Sequence, residues 1–364
     1  MDKKIFIALI LTFILISLIP ASAMNVVSTE TKEVNGIKYS FIKAHTEGGQ
    51  VYIHLIEADP AKCQIGLALA QQKIGYSQSL GKLVKNYPGV LAAINGTFFC
   101  MDYWSLPISN IRIDGRMVYL NNIHRTNCGI TKDGKMFFGL LDLKGKITIS
   151  GTDKSFFIWG MNRPKKTNEV IVYTKEWGKT TETSQSGMEI IVINNIVTQI
   201  SKSDSQIPEN GFVISLHGQS KKLAQYLPIG QKIELSFSLT NEWANTYQLF
   251  TGGPRLLAQG KVATNKSIYK ENFGSYLLCR HPRTAVGMMK NGHIVLIVVD
   301  GRSYTSAGAT YEELAYMMMH FGVTEAMGLD GGNSSIMWFN GQIVNNPSGG
   351  GRAIPNAIIT LHAK

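Results

Sequence analysis

From Val34 almost to its end the chain is punctuated by tight Asn-Gly and Asp-Gly turns set between short apolar runs. Lys132-Asp-Gly-Lys135, Lys290-Asn-Gly-His293 and Asn340-Gly341 are flanked by β-branched or alternating stretches, the pattern of antiparallel hairpins. Strands are therefore expected at Val51 to Ile56, Gln64 to Leu69, Val90 to Ile94, Arg283 to Met289, Ile294 to Val299, Val323 to Leu329 and Ala357 to Leu361. One clear helix fits Thr310 to Phe321. It opens on the capping box Thr310-Tyr-Glu-Glu313 and is closed by Gly322. The run Met317-Met-Met319 fits that helix's packing face. The fold class expected is α+β, a strand-rich mixed sheet domain with few helices.

The N-terminus reads differently. Lys3 and Lys4 precede an apolar run from Ile5 to Ile19, and Pro20 and Ala21-Ser22-Ala23 follow, the layout of a cleaved signal peptide. The run is roughly 15 residues, short of the ~20 that span a bilayer. Residues 1–23 are thus expected to be removed and 24–364 to form one domain, secreted or at the cell-envelope exterior, with no stable membrane insertion. Between about 142 and 251 the chain is more polar, with strands near Val170 to Tyr173, Glu189 to Ile196 and Ile233 to Phe237. This stretch reads as a peripheral insertion or lobe. The four cysteines contain no CxxC pair, so a thiolate zinc site has no support. Export allows three disulfide pairings or free thiols. A net charge of +11 suits phosphate-bearing extracellular polymers or a merely soluble basic surface; without a dense Lys/Arg cluster, no nucleic-acid partner is expected. No metal and no cofactor is read from the spacing of the titratable residues, and oligomeric state is not legible.

Glycine-flanked polar groups stand at strand ends: Asn95-Gly96-Thr97, Asp300-Gly301-Arg302 and Asp330-Gly331-Gly332-Asn333-Ser334-Ser335. Glycines let the backbone approach a ligand, and successive turn N–H groups form anion-binding nests. Singly, each is an everyday turn. The last offers a carboxylate, an amide and two hydroxyls, more than a turn requires.

Together with Phe98-Phe99, Gly253-Pro254, Arg283-Thr-Ala-Val-Gly287, Ser306-Ala-Gly-Ala-Thr310, Glu313-Leu-Ala315 and Gly351-Arg352, these motifs resemble, in order, the phosphodiester glycosidase family. That family includes the enzyme that uncovers mannose 6-phosphate by removing N-acetylglucosamine from its phosphodiester. The likeness spans about Val90 to the C-terminus. It implies the fold, cleavage of a sugar's anomeric C–O bond to a phosphodiester, and the motif residues as the site. Thr97 and Gly328 depart from the family, which often has Gly and Asn there.

The chemistry agrees. Phosphate is a good leaving group, so a general acid matters less than cations on the phosphate and a carboxylate serving as nucleophile or base. Asp330 is the first candidate carboxylate, with Glu313 and Asp300 behind it. The competing readings are a turn cap for Asp330 and a helix cap for Glu313. Arg283, Arg302 and Arg352 are the candidate phosphate ligands, against a reading as ion pairs. Asn95, Thr97, Gly331, Gly332, Asn333, Ser334 and Ser335 complete the expected substrate-binding set. His281, beside Arg280 and Arg283, is placed near phosphate, though a lone histidine is more often structural. A secreted glycosidase acting on a sugar-1-phosphodiester of wall, capsule or other extracellular glycans is expected; the alternative is a non-catalytic envelope protein binding glycan or phosphate polymers.

Overall fold

The computed structural model describes residues 24–362 apart from 102, 103, 109 and 240. The expected signal peptide lies outside the described residues. Strands dominate, in five sheets, with few and short helices.

An eight-stranded sheet runs in the order Asn25–Val34, Ile37–Thr46, Gly49–Ala58, Ile294–Val299, Arg283–Met289, Val323–Gly328, Arg255–Ala258, Lys261–Val262, each neighbour antiparallel. Its centre is Ile294–Val299, an unbroken buried apolar run. A strand's side chains alternate between faces. Ile294, Leu296 and Val298 accordingly enter one apolar core, and Val295, Ile297 and Val299 enter another. The helix Tyr311–His320 covers the second core with Leu314, Ala315, Met317 and Met318, while Met319 turns outward. Each fully buried aliphatic side chain contributes roughly 1.5–3 kcal/mol, so this doubly covered strand anchors the domain.

The first core is closed by a five-stranded antiparallel sheet ordered Gln342–Ile343, Met337–Phe339, Val90–Asn95, Asn356–His362, Cys63–Leu69. Another five-stranded sheet (Arg116–Tyr119, Ile111–Ile113, Thr246–Thr251, Asn127–Thr131, Met136–Gly139) adds Ile111, Val118, Cys128 and Ile130 to it. Residues 144–238 build the remaining two sheets, around a further core that includes Ile147, Val172, Ile190, Ile214 and Ile233 with Met117, Leu120 and Leu143, while Ile171, Tyr173, Ile191 and Val213 enter the first core.

Several strands escaped sequence reading, among them Ile37–Thr46, Gly211–Leu216 and Thr246–Thr251, and the first in the chain shows why most plainly. Asn25–Val34 is exposed at nine of its ten positions, so it carries no apolar alternation. Only its full register with Ile37–Thr46 makes it a strand. Cys63 and Cys128 are buried thiols, and Cys100 and Cys279 are exposed. Among the described residues no helix is long and apolar enough to cross a membrane.

Candidate functional site

The two main sheets meet through Asn95. Its strand belongs to the five-stranded sheet, yet its Nδ2 donates to the Asp330 carbonyl at 2.7 Å. Its Oδ1 accepts from Thr284 Oγ1 at 2.8 Å and from Ile336 N at 3.2 Å. At 1% exposure Asn95 ties three motifs together from beneath rather than presenting its amide to a ligand. Thr97 behaves likewise: its N–H donates to Asn356 Oδ1, and its hydroxyl accepts from Asn356 Nδ2, both at 2.9 Å. Gly96 is required here, because a Cβ would lie 1.9 Å from Asn356 Oδ1. Asn356, buried at a strand start, had no distinguishing signal in the sequence. The departure at Gly328 also has a local cause, since a Cβ there would stand 2.5 Å from the Tyr311 ring.

The strand Val323–Gly328 leads through Leu329 to Asp330 and a single 3-10 turn, Gly332–Ser334. Asp330 is half-buried, and desolvation pushes its carboxyl up to about 6 against the opposing pull of Ser334, Arg352 and the Gly331 N–H. The Ser334 hydroxyl favours the ionised carboxylate without reaching full hydrogen-bond geometry, and the buried Ser335 hydroxyl has no partner among the described residues.

Three guanidiniums converge on this turn. Arg283, 2% exposed, stacks over the Tyr311 ring at 4.1 Å and donates to the carbonyls of Ala309, Leu277 and Cys279 through Nε and Nη2. Its Nη1 lies 3.7 Å from where a Gly331 Cβ would stand. Arg302 donates from Nη1 to Asn333 Oδ1 at 2.8 Å and turns Nε and Nη2 to His281 Nδ1 at 3.3 and 3.1 Å. Its guanidinium lies across Gly332, whose φ of +63° and missing Cβ permit the approach. Arg352 is anchored by its N–H to the Asn333 carbonyl at 3.1 Å, and its charge acts on Asp330. Among the described residues none of the three has a carboxylate within ion-pair distance. Like charges gathered in excess of the one nearby carboxyl, Asp330, repel, and an anionic ligand relieves that repulsion.

The other two candidate carboxylates are engaged elsewhere. Both oxygens of Asp300 are enclosed: Oδ1 accepts from Asn345 Nδ2 at 2.9 Å, and Oδ2 accepts from Asn346 N at 3.0 Å and meets His54 Nε2 at 3.3 Å. Asp300 thereby holds the loop at 345–346 against the sheet. Glu313 completes the capping box, accepting from Thr310 N at 2.8 Å with Oε2, while Oε1 pairs with Arg280. The structure therefore gathers Asp330, Gly331, Gly332, Asn333, Ser334, Ser335, Arg283, Arg302 and Arg352 in one place. It sets Asn95 and Thr97 beneath them, and turns Asp300 and Glu313 away. His281 joins the group. A cavity of about 980 Å³ lies elsewhere, between the edge strand Cys63–Leu69 and the segment 175–179. Among the described residues no cluster of three or more His, Cys, Asp or Glu is placed to hold a metal ion.

Residues 186–361 match the family model of phosphodiester glycosidases. An uncharacterized protein of Rickettsia conorii is 30% identical over 165 residues, 43% of this chain and 56% of that one. The bovine N-acetylglucosamine-1-phosphodiester alpha-N-acetylglucosaminidase is 31% identical over 109 residues, 28% of this chain and 20% of its own length. The chain thus spans about half or less of these relatives. Two solved structures share the fold: a Synechocystis protein (TM-score 0.79, 22% identity, 94% of this chain and 68% of that one) and the zebrafish N-acetylglucosamine-1-phosphodiester alpha-N-acetylglucosaminidase catalytic domain (TM-score 0.51, 18% identity, 96% and 85%). The matched stretch contains Asp330 and its three arginines, and over it the chain is similar to the phosphodiester glycosidase family.

Proposed function

We propose that this protein hydrolyses a glycosyl phosphodiester at the anomeric C–O bond, acting after export on wall, capsule or other extracellular glycans. The observation that carries the reading is the half-buried Asp330 carboxyl, on which Arg352 acts, on a turn that Arg283 and Arg302 also approach at Gly331, Gly332 and Asn333. The arginines bind the phosphodiester and stabilise charge as it accumulates on the departing phosphate. Asp330, ionised above about pH 6, supports the oxocarbenium-like centre by attacking it or by taking a proton from water. Asp300 and Glu313 are spent on structure, which leaves no carboxyl beside the leaving group. That suits phosphate, which departs without a proton.

Export rests on the sequence pattern of residues 1–23, and the glycan class on the basic charge and the arginine cluster. A protein that binds phosphorylated glycans without turnover remains the second reading, since the same arginines serve binding alone.

Incubation of residues 24–364 with sugar-1-phosphodiesters in oxygen-18 water separates the readings. Label on the released sugar, lost with Asp330→Asn, is the expected result. Label on phosphate makes the protein a phosphodiesterase. Binding without turnover across several sugars leaves the binding reading.

A further inference from the structure

Arg302 reaches the site at the end of a long side chain, and its direction is set by what holds it. Two of its nitrogens, Nε and Nη2, aim at the same atom, His281 Nδ1. A guanidinium has only donors, so Nδ1 must be the acceptor and must carry no proton. The neutral imidazole then has its proton on Nε2. Arg302 takes a left-handed backbone conformation at φ 55°, uncommon for a residue with a side chain, so its loop commits local strain to this placement. His281 is fixed from its own side: its N–H and carbonyl both pair with Ala309, at 3.1 and 3.0 Å. Gly308 packs against that same backbone, where a Cβ would meet the His281 carbonyl at 2.6 Å.

We propose that His281, as the neutral Nε2–H tautomer, is a positioning residue that aims Arg302 at the phosphate, and that its protonation releases Arg302. This rests on the glycosyl-phosphodiester reading of the site. A protonated imidazole has no acceptor for the guanidinium and adds a third positive charge beside it. The charges facing the ring are Arg302 and Arg283. Burial and these two charges hold the imidazole below the ordinary histidine value, which favours the accepting form at neutral pH. Arg280, next in the chain, is engaged by Glu313. Among the described residues no carboxylate hydrogen-bonds or ion-pairs with His281.

Two groups must then lose protons before the site works, Asp330 and His281, so log(kcat/KM) rises on the acid side with a slope approaching two. His281→Asn offers an oxygen that accepts from Arg302 but does not titrate; His281→Leu offers nothing. The expected outcome is a loss of kcat/KM of roughly 10- to 100-fold in His281→Leu, carried mainly by KM for the phosphodiester. His281→Asn recovers most of it and brings the acid slope to about one. Equal activity in wild type and His281→Leu, or an unchanged slope in His281→Asn, overturns the proposal. Nitrogen-15 spectra of the imidazole in the free protein test it without a substrate. A proton on Nδ1 at neutral pH overturns the tautomer assignment even where turnover is intact, and an Nε2–H imidazole with no turnover on any phosphodiester counts against the proposed function instead.

Discussion

Two carboxylates show how this molecule separates structure from chemistry. Glu189 lies in the lobe with no exposed surface, and all its acceptor capacity is met: Thr183 and Ser215 hydroxyls donate to Oε1, and the Thr181 hydroxyl and Ser205 N–H donate to Oε2, at 2.7 to 3.0 Å. Asp330 is half-buried, one neighbouring hydroxyl falls short of hydrogen-bond geometry, and the next has no partner. A fold stabilises itself by closing its polar networks, because an unmade buried hydrogen bond costs about 1–3 kcal/mol. On the proposed reading, a network left open beside arginines that lack a carboxylate ion pair is completed by a ligand. Residue type does not distinguish the two sites; satisfaction does.

Amide substitutions break the comparison most strongly. Asp330→Asn removes the one site carboxylate not spent on protein partners, and kcat is expected to fall by about 10³-fold or more with the fold intact. Glu189→Gln turns one acceptor into a donor facing groups that already donate. It is expected to cost about 2–3 kcal/mol, read as a lower denaturant midpoint at unchanged slope, with kcat preserved in the fraction that remains folded. A kcat loss in Glu189→Gln as large as in Asp330→Asn would show that the lobe takes part in the reaction.

Stability against pH sharpens the contrast. The Asp330 carboxyl keeps its proton to about pH 6 in the folded protein, against an ordinary value of 3.8. The folded state therefore binds the proton more tightly, and this group's contribution to stability falls as pH rises between those values. Above pH 6 the penalty is complete, about 1–2 kcal/mol after allowing for solvent screening at a half-buried group. Asp330→Asn should raise the Tm at pH 7.5 and leave it nearly unchanged at pH 3.5. A variant destabilised at both pH values would make Asp330 a structural cap, the plain reading of an Asp before Gly-Gly.

How far the sequence foretells this arrangement depends on how local the signal is. The Lys290–His293 and Asn340-Gly341 hairpins and the Thr310–Glu313 capping box are written within a few residues, and the structure has them all. The run Asp330 to Ser335 and the three arginines were legible as a candidate site because glycines and polar groups cluster at strand ends. Nothing local shows that Asp300 faces Asn345 and His54, or that Asn95 and Thr97 turn inward toward Thr284 and Asn356. Those side chains are assigned by the meeting of two sheets. Glu313 carried both readings in the sequence, and its two oxygens go to the helix cap and Arg280. His281 was visible only as a neighbour of arginines; its purpose depends on Arg302, which folding brings back across 21 residues.

The smallest test is the most direct probe of the open network. Ser335 is fully buried and its hydroxyl has no partner among the described residues. Removing a hydroxyl that makes a hydrogen bond destabilises a protein by about 1 kcal/mol, whereas removing an orphaned one relieves a desolvation cost. Ser335→Ala is therefore expected to leave the free protein as stable or up to about 1 kcal/mol more stable. A Tm that falls would instead place Ser335 with Glu189, among the groups the fold uses for itself.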